Sequence, residues 1–190
     1  MVESRTEPAK GLTPAGRLAL GLAAAVLVVD QAVKAWILDG LNLPARVSVP
    51  VFGPLRLSMV WNEGVSFGFL QARHDLARWG LTAFALAVAL GLAAWARRAE
   101  RRLLGLALGL IIGGAIGNAI DRARFGAVAD FIDVSTLGFF PWVFNIADSA
   151  ITLGVILMLM DSFRRETPTS PQSLFPSDGT SEGAKQAPGP

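Results

Sequence analysis

Cysteine is absent from this 190-residue chain, histidine occurs once, and charged residues make up only 17% of it. Without a thiol there are no disulfides, no thiolate metal sites, and no cysteine through which the chain itself could be lipid-anchored. With His74 alone, a histidine-rich metal site and a Ser/His nucleophile pair are both excluded within one chain. The formal net charge of +2 is too small for nucleic-acid binding, and the basic residues form no continuous patch. Glycine fingerprints for nucleotide phosphates are also missing, because the glycines fall within an apolar run rather than after a strand.

What the chain has in abundance is apolar length. It is 52% hydrophobic with a mean hydropathy of +0.47, whereas a soluble domain is about 25% charged. The apolar residues come in blocks that predict four spans, about 18–38, 76–96, 103–120 and 141–160, each close to the roughly 20 residues that cross a bilayer core. A cleaved leader is the competing reading of the first block, but Asp30 and Lys34 interrupt it and no clear Ala-x-Ala site follows.

Between the first two spans, Leu55, Leu57, Met59 and Trp61 alternate with Arg56, Ser58, Val60 and Asn62, the period of a half-exposed strand. With Gly53-Pro54 as a turn signal, 41–70 reads as a small β-platform ending in a glycine-bearing loop, Asn62 to Gly68. Arg97, Arg98, Arg101 and Arg102 crowd the short connection between spans two and three, which places that connection in the cytoplasm. Gly105, Gly109, Gly113 and Gly117 recur every four residues, a face suited to close helix packing.

The expected fold class is therefore an all-α membrane protein of four transmembrane helices with a small extracytoplasmic β-platform and both termini cytoplasmic. Residues 1–16 read as a flexible cytoplasmic tail, 17–165 as one membrane domain, and the Pro/Ser/Gly-rich 166–190 as a disordered tail.

Polar groups inside such spans are costly and mark function. At about 1.5 Å rise per residue, Asp30 lies roughly 18 Å across from an inner face at Leu18. Asn118, Asp121 and Arg122 close the outer end of the third span, Asn145 and Asp148 open the fourth, and Asp130 lies in the loop joining them. All converge at one depth, near the outer surface. Carboxylates without a histidine or thiol point to an aspartic dyad. Two close carboxylates share a proton, so one can activate water and the other can protonate a leaving amine.

Five aspartates compete for the two roles. Asp30 has Lys34 four residues on, the spacing of a helix-face ion pair, and Asp121 adjoins Arg122, so both read as neutralised and structural. Asp133 reads as lying on a solvated loop. Asp130 and Asp148 have no cation beside them in sequence and sit among apolar residues. A proton- or ion-coupled transporter is the rival reading, and a scaffold protein the next. Four short spans without an evident inverted repeat, and carboxylates at the rim rather than the midplane, count against transport.

Five blocks in order now resemble the lipoprotein signal peptidases (signal peptidase II). They are Asp30-Gln31…Lys34, Asn62-x-Gly64-Val65-Ser66-Phe67, Gly113-Gly114-Ala115-Ile116-Gly117-Asn118-x-x-Asp121-Arg122, Val128-x-Asp130-Phe131-Ile132-Asp133, and Phe144-Asn145-x-Ala147-Asp148. The resemblance covers roughly residues 18–161. It implies a cofactor-free aspartyl endopeptidase of the bacterial inner membrane, with its site at the periplasmic side. Such an enzyme removes the signal peptide from a prolipoprotein just before its diacylglyceryl cysteine, works among membrane lipid, and is blocked by the cyclic peptide globomycin. By motif position Asp130 and Asp148 correspond to the catalytic pair. Asn118 and Asn145 would flank it, and Asp30, Lys34, Asn62, Gly64, Asp121 and Arg122 would support the site and substrate. Phe139, Phe140 and Trp142 could line closure over the peptide, or form an interfacial aromatic belt.

Overall fold

The computed structural model describes residues 11–64, 74–138 and 143–163. The expectations for 65–68, for Phe139, Phe140 and Trp142, and for the tail from Glu166 lie outside the described residues.

Four long helices carry the chain. Helix α1 (Pro14–Ala35) runs on through a π-helical turn at Trp36–Gly40 into a short α2 (Leu43–Arg46). Strands β1 (Ser48–Phe52) and β2 (Leu55–Asn62) follow, then α3 (His74–Ala96) and α4 (Arg102–Phe125). Strand β3 (Val128–Asp133), a 3-10 turn (Ser135–Leu137), β4 (Val143–Phe144) and α5 (Ile146–Phe163) complete the described chain. Among the described residues, four segments are long and apolar enough to cross a membrane: Pro14–Gly40, Asp75–Ala96, Arg102–Phe125 and Ile146–Phe163.

Helix α4 is the axis of the bundle, packed against α1, α3 and α5. Of its apolar window 72% is buried, against 17–28% in the other three. The glycine spacing explains the difference. A Cβ on Gly105, Gly109 or Gly113 would stand 2.6, 2.6 or 2.7 Å from the carbonyl oxygens of Ala15, Ala19 and Ala23 on α1. On the opposite side one on Gly114 would stand 2.5 Å from the carbonyl oxygen of Ala147 on α5. Small residues let the backbones of α1 and α5 close on α4, which is where membrane helices gain packing energy. The outward faces stay apolar, with Phe84, Leu90 and Leu159 exposed, as suits helices solvated by lipid.

Three boundaries differ from the hydropathy reading by four residues or more; the fourth span, expected from 141, is helical only from Ile146, because Val143–Phe144 pairs with β3 as β4. Helix α1 starts at Pro14, inside the expected tail, because Thr13 caps it by accepting from the Gly16 N–H at 2.9 Å and proline sits at the first helical position. Helix α4 continues to Phe125 and ends on Gly126 at φ +84°, a left-handed stop that glycine takes without penalty.

The sheet is larger than a hairpin. It has four antiparallel strands in the order β1-β2-β3-β4. Residues 128–133, expected as a loop, form its third strand, with Val60 opposite Asp130 and Trp61 opposite Ala129. Ile37, Leu43 and Phe131 pack beneath it with Leu57 and Met59 around them, which locks the sheet onto the end of α1. It thus lies at the end of the bundle where Asp30, Asn118 and Asp148 are found, away from the arginine-rich α3–α4 connection.

Candidate active site

Asp130 and Asp148 reach this end from different elements. Asp130 sits in mid-β3 and is 1% exposed. Its Oδ1 accepts from Asn145 Nδ2 at 2.7 Å and its Oδ2 from Asn62 Nδ2 at 3.0 Å. Asp148 lies in the first turn of α5 and is half-buried. Its Oδ1 accepts from Asn118 Nδ2 at 2.8 Å, and its Oδ2 from the Asn145 N–H at 3.3 Å. Every oxygen of both carboxylates therefore faces a nitrogen donor, and Asn145 serves both groups.

The amides are aimed by a second ring of partners. Asn118 Oδ1 accepts from Lys34 Nζ at 3.3 Å and Asn145 Nδ2 at 3.2 Å, which leaves its Nδ2 for Asp148. Asn62 Oδ1 accepts from the Gly64 N–H at 2.9 Å, which leaves its Nδ2 for Asp130. Gly64 takes φ +80°, and a Cβ there would press on Leu81 at 2.7 Å, so the tight turn needs glycine.

Beneath them is a buried ionic network. Lys34 Nζ stands 2.9 Å from Asp30 Oδ2 and 2.7 Å from Asp121 Oδ2. Gln31 donates to Asp30 at 3.1 Å and Asp121 at 3.0 Å. Asp30 Oδ1 accepts from the Ala147 N–H at 3.0 Å, and Asp121 Oδ2 from the Ala129 N–H at 3.2 Å. The two carboxylates thereby grip the start of α5 and the start of β3, the segments that carry Asp148 and Asp130. A buried charge set of this kind is sustainable only because each member is paired and hydrogen-bonded.

The ion pair between Asp30 and Lys34 stands as expected. Asp121 does not pair with Arg122, the cation beside it in sequence, but with Lys34 across the helix interface, since adjacent residues on a helix do not face each other. Asp133 is not on a solvated loop. It ends β3 at 8% exposure and accepts from Ser58 Oγ at 2.6 Å, Ser135 Oγ at 2.6 Å and the Ser135 N–H at 2.9 Å. These bonds, Ser135 first, hold its carboxyl below the ordinary range, and it pins the sheet rather than joining the dyad.

Burial raises the Asp130 carboxyl to about 6, with the nearby charge of Asp148 adding and the amides of Asn62 and Asn145 opposing. Asp148 instead occupies a helix N-terminus, where free N–H groups and the macrodipole accommodate an anion. Arg122, on the last turn of α4, feels the charges of Asp148, Asp130 and Asp121. Its Nε is buried without a protein partner among the described residues.

Sequence reasoning missed Gln31 as the bridge between Asp30 and Asp121, and missed Arg78 entirely. Arg78 donates to the carbonyls of Arg122 at 2.7 Å and Ala123 at 2.6 Å. The one available signal was its sign: a cation near the start of a helix opposes the dipole unless a partner lies elsewhere.

A family model described as signal peptidase (SPase) II matches residues 22–164. A lipoprotein signal peptidase of Caulobacter vibrioides is 51% identical over 84% of this chain and 94% of its own length. One of Methylobacterium radiotolerans is 48% identical over 80% of this chain and 88% of its own. A solved bacterial membrane enzyme superposes with a TM-score of 0.67 at 26% identity, covering 83% of this chain and 99% of that one.

Proposed function

This chain belongs to the signal peptidase II family, a membrane protease that removes signal peptides from prolipoproteins, and from that membership we propose that Asp130 and Asp148 are its catalytic pair. The observation that carries the assignment is the donor pattern: four carboxylate oxygens on two elements, each met by a nitrogen, with Asn145 common to both. Such fixed donors hold two carboxyls in register without neutralising either with a cation. Asp130 keeps the shared proton and Asp148 the charge. Asp148 deprotonates a water for attack on the scissile carbonyl, while Asp130 polarises that carbonyl and then protonates the departing amine. Asn118 and Asn145 hold the pair, and Arg122 offers its Nε–H to the peptide. Asp30, Lys34, Asp121, Asn62 and Gly64 keep these groups aimed.

The cut falls before a diacylglyceryl cysteine at the outer face of a bacterial inner membrane. Arg97, Arg98, Arg101 and Arg102 support, through the positive-inside rule, a reading with the opposite end of the bundle and both termini on the cytoplasmic side and the sheet outside. A lipid-modified peptide entering sideways from the bilayer meets the polar cluster at the depth of its own headgroup-level cleavage point. Globomycin-type cyclic peptides compete for the same groove. Purified protein in detergent, given a diacylglyceryl prolipoprotein, is expected to release a free signal peptide, with globomycin suppressing release. Equal release from the same precursor lacking its lipid would overturn the lipid requirement, and no release from either would revive the transporter.

A further inference from the structure

Arg78 is out of place by the rules of its own helix. It lies in the second turn of α3, where a cation opposes the macrodipole. Its partner is the end of another helix: Nε donates to the Arg122 carbonyl at 2.7 Å and one terminal nitrogen to the Ala123 carbonyl at 2.6 Å. Antiparallel packing of α3 on α4 sets the start of one helix beside the end of the other, so the cation unfavourable to α3 is favourable to α4.

Capping alone does not account for this fork. The Arg122 carbonyl already accepts from the Gly126 N–H at 3.0 Å, which is the ordinary stop for a helix ending on a left-handed glycine. Arg78 adds a second, charged donor to the same oxygen and locks the next carbonyl as well. The backbone it grips belongs to Arg122, whose guanidinium lies among Asp121, Asp130 and Asp148. Four residues on, Gly126 turns the chain into Ala127 and β3, and Asp130 follows.

We propose that Arg78 is a positioning residue for peptide hydrolysis, fixing the end of α4 so that Arg122 stays beside the dyad and β3 presents Asp130. This rests on the dyad reading above. A planar guanidinium spans two carbonyls in one rigid fork, whereas a lysine offers a single point donor. Misplacement of about an ångström in a catalytic constellation costs up to about 100-fold in rate.

The test compares Arg78→Met, Arg78→Lys and Arg124→Met with wild type, on a diacylglyceryl prolipoprotein across pH. Arg124 shares the end of α4, but its guanidinium rests on the Phe125 ring, so its loss controls for surface charge. The expected result for Arg78→Met is a kcat drop of about 10- to 100-fold per folded molecule with KM within about twofold. The alkaline limb of its pH profile should also move upward, because a drifting Arg122 no longer favours the charged dyad. Arg78→Lys should recover part of both, and Arg124→Met neither lose rate nor shift the limb. Equal kcat in Arg78→Met and wild type overturns the proposal, as does a loss that vanishes once rates are divided by the folded fraction. Asp130→Asn run alongside separates the two claims: cleavage by that variant sinks the dyad, while the Arg78 comparison still reads its own kcat.

Discussion

Asn145 and Asp148 hold each other reciprocally: the Asp148 N–H donates to Asn145 Oδ1 at 2.9 Å, and the Asn145 N–H donates to Asp148 Oδ2 at 3.3 Å. This is the geometry of a capping box, built here with the carboxylate proposed for the dyad as its acidic member. The device that starts α5 therefore also orients Asp148, and the Nδ2 of the same asparagine reaches Asp130.

Because the cap of α5 and the donor to Asp130 are one residue, the two tasks can be separated chemically. Asn145→Ser keeps an oxygen to cap α5 but has no Nδ2 for Asp130. Its thermal midpoint is expected within a few degrees of wild type, since a serine cap is about as good as asparagine, while kcat falls about 100-fold, the scale of losing one preorganised donor. Full activity in this variant would show that the bridge to Asp130 is not needed.

The pH profile follows from the Asp130 carboxyl. Its value is raised to about 6, so the proton is held below that pH and lost above it, and the acid role fades with it. The alkaline limb of kcat/KM in wild type should fall near pH 6, as a property of the pair rather than of one residue. Hydrogen bonding from Asn62 opposes the rise, so Asn62→Ala should move the limb upward. A limb that stays or moves down would refute the assignment of the proton to Asp130.

Packing of α1 on α4 makes a contrast between two glycines. A methyl on Gly109 would meet the Ala19 carbonyl oxygen at 2.6 Å, whereas one on Gly91 of α3 meets nothing within 4 Å. Gly109→Ala should cost about 1–3 kcal/mol by overpacking, and Gly91→Ala should be neutral or stabilising by up to about 1 kcal/mol. Unfolding midpoints in detergent compare them, and similar midpoints would mean the two backbones can separate without cost.

Much of the site was legible because its motifs are short and local. Four apolar blocks gave the bundle, and depth arithmetic brought Asp30, Asn118, Asp130 and Asp148 to one end. What stayed hidden depended on partners far apart in sequence. Strand β3 is buried on both faces apart from Ile132, so it lacks the alternation that betrayed β2. Asp121 looked paired with Arg122, but only the helix packing shows that Lys34 faces it. The start of α1 was readable in Thr13-Pro14, a cap and first-turn proline, but hydropathy alone begins four residues later. The fork from Arg78 rests on backbone carbonyls, which leave no mark in sequence.

The measurement that bears most directly on the account is signal-peptide release from a diacylglyceryl prolipoprotein by Asp130→Asn and Asp148→Asn beside wild type. Each substitution keeps size but removes the titrating carboxyl and exchanges one of its two accepting oxygens for an amide nitrogen. The account predicts that both lose at least about 10³-fold in rate, with folding and globomycin binding retained. Near-normal release by either variant would contradict the dyad.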